Sequence, residues 1–348
     1  MESTPYLTVD VEVLDRNLSD AADAAAASGL ALRPHAKAHK CVEIARRQLE
    51  LGAPGLTVAT VGEAEVFAGG GCADLFIAYP VWATPARAAR LRALAERATV
   101  RVGVDSAEAA ALLAGTGAEV VVEIDSGHHR SGVHPAGAGE LAAAAARLGL
   151  TVAGVFTFPG HGYGPGRQAR AAADEAAAMR TAAEAMRAAG IEPGVRSGGS
   201  TPTASTSDSG ALNEIRPGVY ALNDAQQVEL GTCGWGDVAL TVAATVVSVA
   251  GDHLILDAGS KVLGADQPAW VTGGGRLPDH PGARVTALSE HHATVVFPPG
   301  APRPARGEIV RVAPNHLCAA VNLADELVVV RNGLEIDRWR VAARGANA

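Results

Sequence analysis

A chain of 348 residues, 48% apolar, 4% aromatic and of net charge −8, is long enough for a substantial core and is expected to form two domains. The acidic balance argues against a nucleic-acid partner, because an acidic chain gains nothing from counterion release. Met1–Tyr6 lacks a signal peptide's basic start and apolar stretch, and no run approaches the ~18 apolar residues of a membrane span; Cys41, Cys72, Cys233 and Cys318 are too irregularly spaced for a disulfide framework, which suggests a reducing cytoplasm.

Tyr6–Val9 is β-like. From about residue 14 to 230, short β-like runs alternate with Ala-rich helical patterns. Strands are expected at Leu30–Pro34, Leu56–Thr60, Leu75–Tyr79, Val100–Val104, Glu119–Ile124, Val152–Phe156, Gly194–Arg196 and Glu214–Tyr220. Helical patterns between them include Val42–Leu51, Gly62–Gly69, Pro85–Arg97 and Gln168–Ala189. Eight such β/α units predict an α/β fold, a parallel (β/α)8 barrel over residues 11–230. A doubly wound open sheet is the rival, and it needs a topological switch point. Later come Val238–Val249, His253–Asp257, Arg284–Leu288, Thr294–Phe297, Ile309–Ala313 and Leu327–Arg331, separated by Gly/Pro turns with almost no helical periodicity. They predict a C-terminal antiparallel β domain over residues 231–348, with the strand within 4–10 as a possible addition.

A β/α barrel gathers its chemistry at the C-terminal ends of its strands. Lys37, in Arg33-Pro-His-Ala-Lys-Ala-His-Lys40, follows the first strand among like-charged neighbours and behind the stiff Pro34. Both features favour a neutral, nucleophilic amine able to form a Schiff base with an aldehyde cofactor; the alternative is a solvated basic turn. Asp125–Gly132, Thr157–Gly164 and Ser197–Thr203 follow strands five, six and seven, and Arg216–Val219 lies in or just after strand eight. Gly198-Gly-Ser-Thr201 has the make-up of a phosphate cradle, with backbone amides and the Ser200 and Thr201 hydroxyls as donors. Gly218 and Val219 suit the same task through their amides. The alternative is an ordinary turn.

In Pro314-Asn-His-Leu-Cys318, an extended backbone turns His316 and Cys318 to one side. Imidazole and thiolate then suit Zn2+, and two protein ligands leave room for substrate or water. A buried cysteine beside a satisfied histidine is the alternative. His161, between two glycines, faces the pocket or bonds to backbone. His128 and His129 cannot both point inward if extended, and His291 and His292 lie near the metal or on a wet hairpin.

The residues carry a resemblance. Arg33–Lys40, Glu123-Ile-Asp-Ser-Gly127, Pro159-Gly-His-Gly-Tyr163, Gly199-Ser-Thr-Pro-Thr203, Arg216-Pro-Gly-Val-Tyr220, Asp257-Ala-Gly-Ser-Lys261 and Pro314–Cys318 occur in this order. The whole chain resembles the D-serine dehydratase/D-threonine aldolase family, relatives of alanine racemase and fold-type III pyridoxal-phosphate (PLP) enzymes. The resemblance implies an alanine racemase-like PLP-binding barrel, a β domain, and a head-to-tail homodimer with active sites at the subunit interface. It makes Lys37 the Schiff-base lysine, puts Tyr163, Thr201, Gly218 and Val219 in cofactor-binding positions, and gives His316 and Cys318 a divalent metal. Tyr163 is the first candidate partner of the pyridine nitrogen and Arg216 the second. Two departures stand out: Phe156 where some relatives carry tyrosine, and Ala38 in place of a threonine.

Such an enzyme acts on a small D-3-hydroxy amino acid, and D-stereochemistry rests on the resemblance alone. Breaking Cα–H, with Lys37 as base, leads to loss of the β-hydroxyl and to a 2-oxo acid and ammonia. Breaking Cα–Cβ instead gives glycine and an aldehyde. Cys318 tilts the reading towards elimination, since a thiolate favours Zn2+ whereas Mn2+ or Mg2+ suits an aldolase with a carboxylate there. Readings of other classes are a non-catalytic PLP-binding protein, against which the β domain counts, and a racemase, which lacks an obvious second base.

Overall fold

The computed structural model describes residues 3–348. The chain divides into two compact units. One comprises residues 20–37, 42–218 and 346–348; the other comprises residues up to 19, 38–41 and 219–345. The strands are β1 (Tyr6–Asp10), β2 (Ala31–Leu32), β3 (Leu56–Val58), β4 (Asp74–Pro80), β5 (Thr99–Val104), β6 (Glu119–Glu123), β7 (Val152–Phe156), β8 (Val195–Gly198), β9 (Glu214–Ile215), β10 (Leu240–Ala250), β11 (His253–Leu256), β12 (Arg284–Leu288), β13 (Ala293–Val296), β14 (Ile309–Val312), β15 (Glu326–Arg331) and β16 (Leu334–Arg340). The helices are α1 (Val11–Ala27), α2 (Val42–Glu50), α3 (Val61–Gly69), α4 (Pro85–Ala95), α5 (Ala107–Ala111), α6 (Ala138–Arg147), α7 (Gln168–Ala188), α8 (Ala225–Glu229), α9 (Ser260–Leu263) and α10 (Leu317–Leu323).

Strands β2 to β9 form one parallel sheet in the order β2-β9-β8-β7-β6-β5-β4-β3. Its two ends meet: His35 bridges Thr57, and the Thr57 amide donates to Pro34 O at 2.8 Å. The ring is therefore closed, as the eight β/α repeats predict, and the open-sheet rival is excluded. Helix starts are written locally. Thr60, Thr84 and Ser106 accept amides of their own first turns at 3.0, 3.4 and 3.2 Å, and Pro85 opens α4.

The barrel interior is part apolar and part ionic. Phe76, Val121 and Phe156 are fully buried together, with the two rings edge-to-face at 5.0 Å. Gly103 makes room for them, since a Cβ there would sit 2.7 Å from the Phe156 ring. Phe156 is thus a core residue. Beside it runs a polar line. Arg33 pairs with Glu214 at 2.6 Å and with Asp74 at 2.7 Å, and Arg101 shares Asp74 at 2.7 Å. Glu214 accepts from Ser197 at 2.6 Å, and Arg216 donates to Ser197 Oγ and to Thr157 O, each at 2.5 Å.

The second unit is built on the long apolar strand β10. It pairs with β1, β14 and β11, with a register shift between Val246 and Ser248 that lets one strand serve several neighbours. β1 is also parallel to β15. The sequence reading stops at Arg331, but Asn332 and Gly333 both adopt positive φ (51° and 74°) and turn the chain into β16. That two-residue Asn-Gly connection is a strong hairpin signal. Among the described residues no helix is long and apolar enough to cross a membrane.

Candidate active site

In the barrel unit the loops after β2, β6, β7, β8 and β9 all leave from the C-terminal ends of parallel strands, so they share one mouth. Lys37 stands on a short 3-10 turn, Ala36–Ala38. The segment before it is held on both sides: the His35 amide donates to Pro217 O at 3.0 Å, and Pro34 is tied to Thr57. Lys37 is half-buried, with Nζ 5.9 Å from the centre of the Phe158 ring. Its basic neighbours have their own partners. The His39 ring accepts the Cys41 amide at 3.1 Å, and Lys40 Nζ donates to Asn322 at 2.7 Å.

Phe158 is the residue the sequence reading missed here. Around its ring stand Lys37, the Arg130 guanidinium at 5.1 Å, the His128 ring at 5.4 Å and the Tyr163 ring at 6.0 Å. A half-buried aromatic directly after a barrel strand is the signal that could have found it. Burial pushes the His128 imidazole below its ordinary value. His129 is exposed, with its ring 2.6 Å from Asp125. Burial opposes ionisation of Asp125, yet the Gly127 and His129 amides at 2.9 and 3.0 Å hold its carboxyl below the usual range. Glu123, at the end of β6, accepts from Ser131 at 3.0 Å, and burial pushes its carboxyl up. His161 makes no ring hydrogen bond among the described residues; its Nε2 lies 3.5 Å from Asp174.

The glycine-rich turn after β8 is built differently from a bare cradle. Gly199 has φ of +71°, and a Cβ there would meet Ile215 at 2.9 Å, so only glycine fits without strain. Its amide donates not outward but to Glu175 Oε1 on α7, at 2.8 Å. Ser200 is buried, its amide and its hydroxyl each 3.0 Å from the Thr203 hydroxyl. Ser200 therefore caps the following turn, Thr201–Thr206, and Thr201 opens it. Gly218 and Val219 lead into another short turn, Val219–Ala221. The mouth thus offers a primary amine, an aromatic contact surface and glycine-bearing turns, and these suit a flat, phosphorylated aldehyde. Arg216 is fully committed to Ser197 and Thr157. Burial drops its guanidinium to about 10, and Glu214, Glu175 and Glu123 oppose that shift. Glu175 is also buried; that burial pushes its carboxyl up to about 7, and Oε2 has no partner among the described residues.

The His316/Cys318 pair belongs to the other unit. Here the extended reading needs correction. His316 is extended (φ −131°, ψ 109°), but helix α10 begins at Leu317, so Cys318 lies in its first turn. The cause is distant in sequence: the Asp224 carboxylate accepts the Leu317 amide at 3.1 Å and starts the helix. The two side chains still interact. Negative charge at Cys318, then Asp224, holds the His316 imidazolium well above the ordinary histidine range, against the effect of burial. His316 Nδ1 lies 3.4 Å from Asp224 Oδ2, within ion-pair range but off hydrogen-bond geometry. Nitrogen and sulfur donors of this kind fit Zn2+. Among the described residues no group of three or more His, Cys, Asp or Glu forms a fuller metal site. His291 and His292 are exposed in the turn between β12 and β13, where Ser289 donates its amide to His292 O at 2.9 Å.

Comparison with known proteins extends the picture. Residues 9–225 match the alanine racemase N-terminal domain and residues 239–330 a putative serine dehydratase domain. A D-threonine aldolase of Arthrobacter sp is 37% identical, covering 98% of this chain and 93% of its own. A D-threo-3-hydroxyaspartate dehydratase of Delftia sp. is 35% identical over 91% of each chain. A crystal structure of that dehydratase superposes with a TM-score of 0.89 at 30% identity, covering 98% of this chain and 97% of its own. For a D-threonine aldolase from Filomicrobium marinum the TM-score is 0.87 at 32% identity, with 99% and 96% covered. Alanine variants of the dehydratase replace a histidine or a cysteine two positions later, and the cysteine variant is in a metal-free form.

Proposed function

The chain belongs to the family that joins an alanine racemase N-terminal domain to a serine dehydratase domain, and from that premise we propose that it is a metal-dependent dehydratase of D-3-hydroxy amino acids. It is a PLP-dependent lyase. The proposed reaction takes D-serine, D-threonine or a 3-hydroxyaspartate to the 2-oxo acid and ammonia. The observation that carries elimination is the pair His316 and Cys318, which matches in residue type and spacing the two positions altered in the Delftia dehydratase.

Lys37 would hold the cofactor covalently, with Tyr163, Thr201, Gly218 and Val219 around it. When bound, PLP supplies the electron sink that stabilises negative charge at Cα. His316 and Cys318 would hold a divalent ion, Zn2+ by donor type, whose Lewis acidity eases departure of a hydroxyl. The Lys37 amine would also serve as the base for the Cα proton. Phe158 stands beside that amine, its ring centre 5.9 Å from Lys37 Nζ. Arg216 is held by Ser197 and Thr157 in one orientation and presents a fixed charge.

Retro-aldol cleavage is the second reading, favoured by the 37% identity to the Arthrobacter aldolase over 98% of the chain; Mn2+ or Mg2+ would then be an alternative ion. One assay separates them. Metal-loaded protein is incubated with D-serine and D-threonine, and 2-oxo acid is measured against glycine plus aldehyde. Production of 2-oxo acid and ammonia, lost on chelation, is expected. Glycine and acetaldehyde from D-threonine without 2-oxo acid overturns the dehydratase reading.

A further inference from the structure

We propose that Asp224 is a positioning residue that fixes the His316 ring with Nδ1 inward, so that Nε2 is the nitrogen offered to a divalent cation; this rests on the metal reading of His316 and Cys318. Asp224 is wholly buried, at 0% exposure, and both carboxylate oxygens are engaged. Oδ1 accepts the Gln227 amide at 3.0 Å and starts α8. Oδ2 accepts the Leu317 amide at 3.1 Å and faces His316 Nδ1 at 3.4 Å. One carboxylate therefore sets both the helix that carries Cys318 and the ring of His316.

The surroundings leave little slack. The Ala225 and Gln226 amides donate to Pro314 O and Asn315 O, each at 3.1 Å, and Asn315 donates to Gly273 O at 2.7 Å. His316 Nδ1 is buried, and Asp224 is the carboxylate within reach. An imidazole that turns Nδ1 to a carboxylate keeps its proton there, and the lone pair of Nε2 stays available. Such outer carboxylates orient the ring and raise ligand basicity; removing them costs metal affinity about 10- to 100-fold.

Asp224→Asn is the near-isosteric test. Its neutral amide removes the negative charge that faces Nδ1, so the ring loses the charged acceptor that favours a proton there, and its NH2 must face the Gln227 or the Leu317 amide. The full chain reconstituted with PLP is titrated with Zn2+ against a chromophoric chelator. Asp224→Asn should weaken binding about 10- to 100-fold, while the Co2+-substituted variant keeps the sulfur-to-metal charge-transfer band of Cys318. In a His316→Ala background the same substitution should change affinity far less, because no ring remains to orient and only the α10 start at Leu317 is touched. Equal losses in both backgrounds, or unchanged affinity in the first, overturn the proposal. If Asp224→Asn does not fold, the native protein decides. With 15N-labelled histidine and bound Zn2+, the signal missing from His316→Ala should report a protonated Nδ1 and a metal-bound Nε2. Metal on Nδ1 overturns the proposal. Native protein that binds no Zn2+ overturns both the proposal and the metal reading beneath it.

Discussion

Glu175→Gln is the substitution whose effect the structure fixes most tightly. The Glu175 carboxyl, 1% exposed, lies under the Gly198–Gly199 turn and accepts one amide, while burial raises it from 4.5 to about 7. A carboxyl raised in the folded state binds its proton more tightly there than in the unfolded chain. Its stabilising contribution is complete below pH ~4.5 and is lost as pH rises through about 7. Above that, the ionised form costs roughly 3 kcal/mol relative to an ordinary carboxyl, at ~1.4 kcal/mol per pKa unit. Glutamine keeps the acceptor for the Gly199 amide and cannot ionise. The variant should therefore match the wild type at pH 5 and exceed it at pH 8 by up to roughly 3 kcal/mol, a few degrees of Tm in a chain this long. Scanning calorimetry of both proteins at pH 5, 6, 7 and 8 gives the comparison. Parallel Tm curves across that range would falsify the assignment of a costly buried charge to Glu175.

Lys37→Ala should remove all 2-oxo acid formation from D-serine, and borohydride treatment should no longer fix PLP to the chain; a label still recovered from the variant refutes the assignment of Lys37. Gly198→Ala puts a Cβ 2.4 Å from Glu175 Oε1 and should destabilise by about 1–3 kcal/mol in denaturant titrations, a cost absent if the turn relaxes freely. Arg33→Met leaves buried Glu214 without its ion-pair partner, while Asp74 keeps Arg101, and should cost about 3–5 kcal/mol, read in the same titration; a neutral outcome means the line is not coupled.

Much of the architecture was legible because its signals are local. β7 and β12 coincide with the strands read from their apolar runs, and the barrel follows from the count of β/α repeats. Strand candidates shortened where backbone bonds end: Glu214–Tyr220 keeps only Glu214–Ile215 as strand, then turns at Val219. What escaped was set by distant partners. No local rule says that Asp224 begins a helix at Leu317, or that Glu175, one acid in an Ala-rich helix, takes up the Gly199 amide. The contacts of Ser200 with Thr203, through its amide and its hydroxyl, are likewise not written in the glycine-rich motif. Types of residue and their order along the chain give candidates; which hydrogen bond each one spends, and on whom, is a tertiary fact.

The ionic line inside the barrel has an evolutionary consequence. Asp74, Arg33, Glu214, Ser197 and Arg216 are linked in series, so a lone replacement of Arg33 leaves the buried Glu214 charge without its ion-pair partner. Related sequences should exchange these positions as a set, or hold all of them, and chimaeras that split the first strand's arginine from the last strand's glutamate should accumulate as insoluble protein.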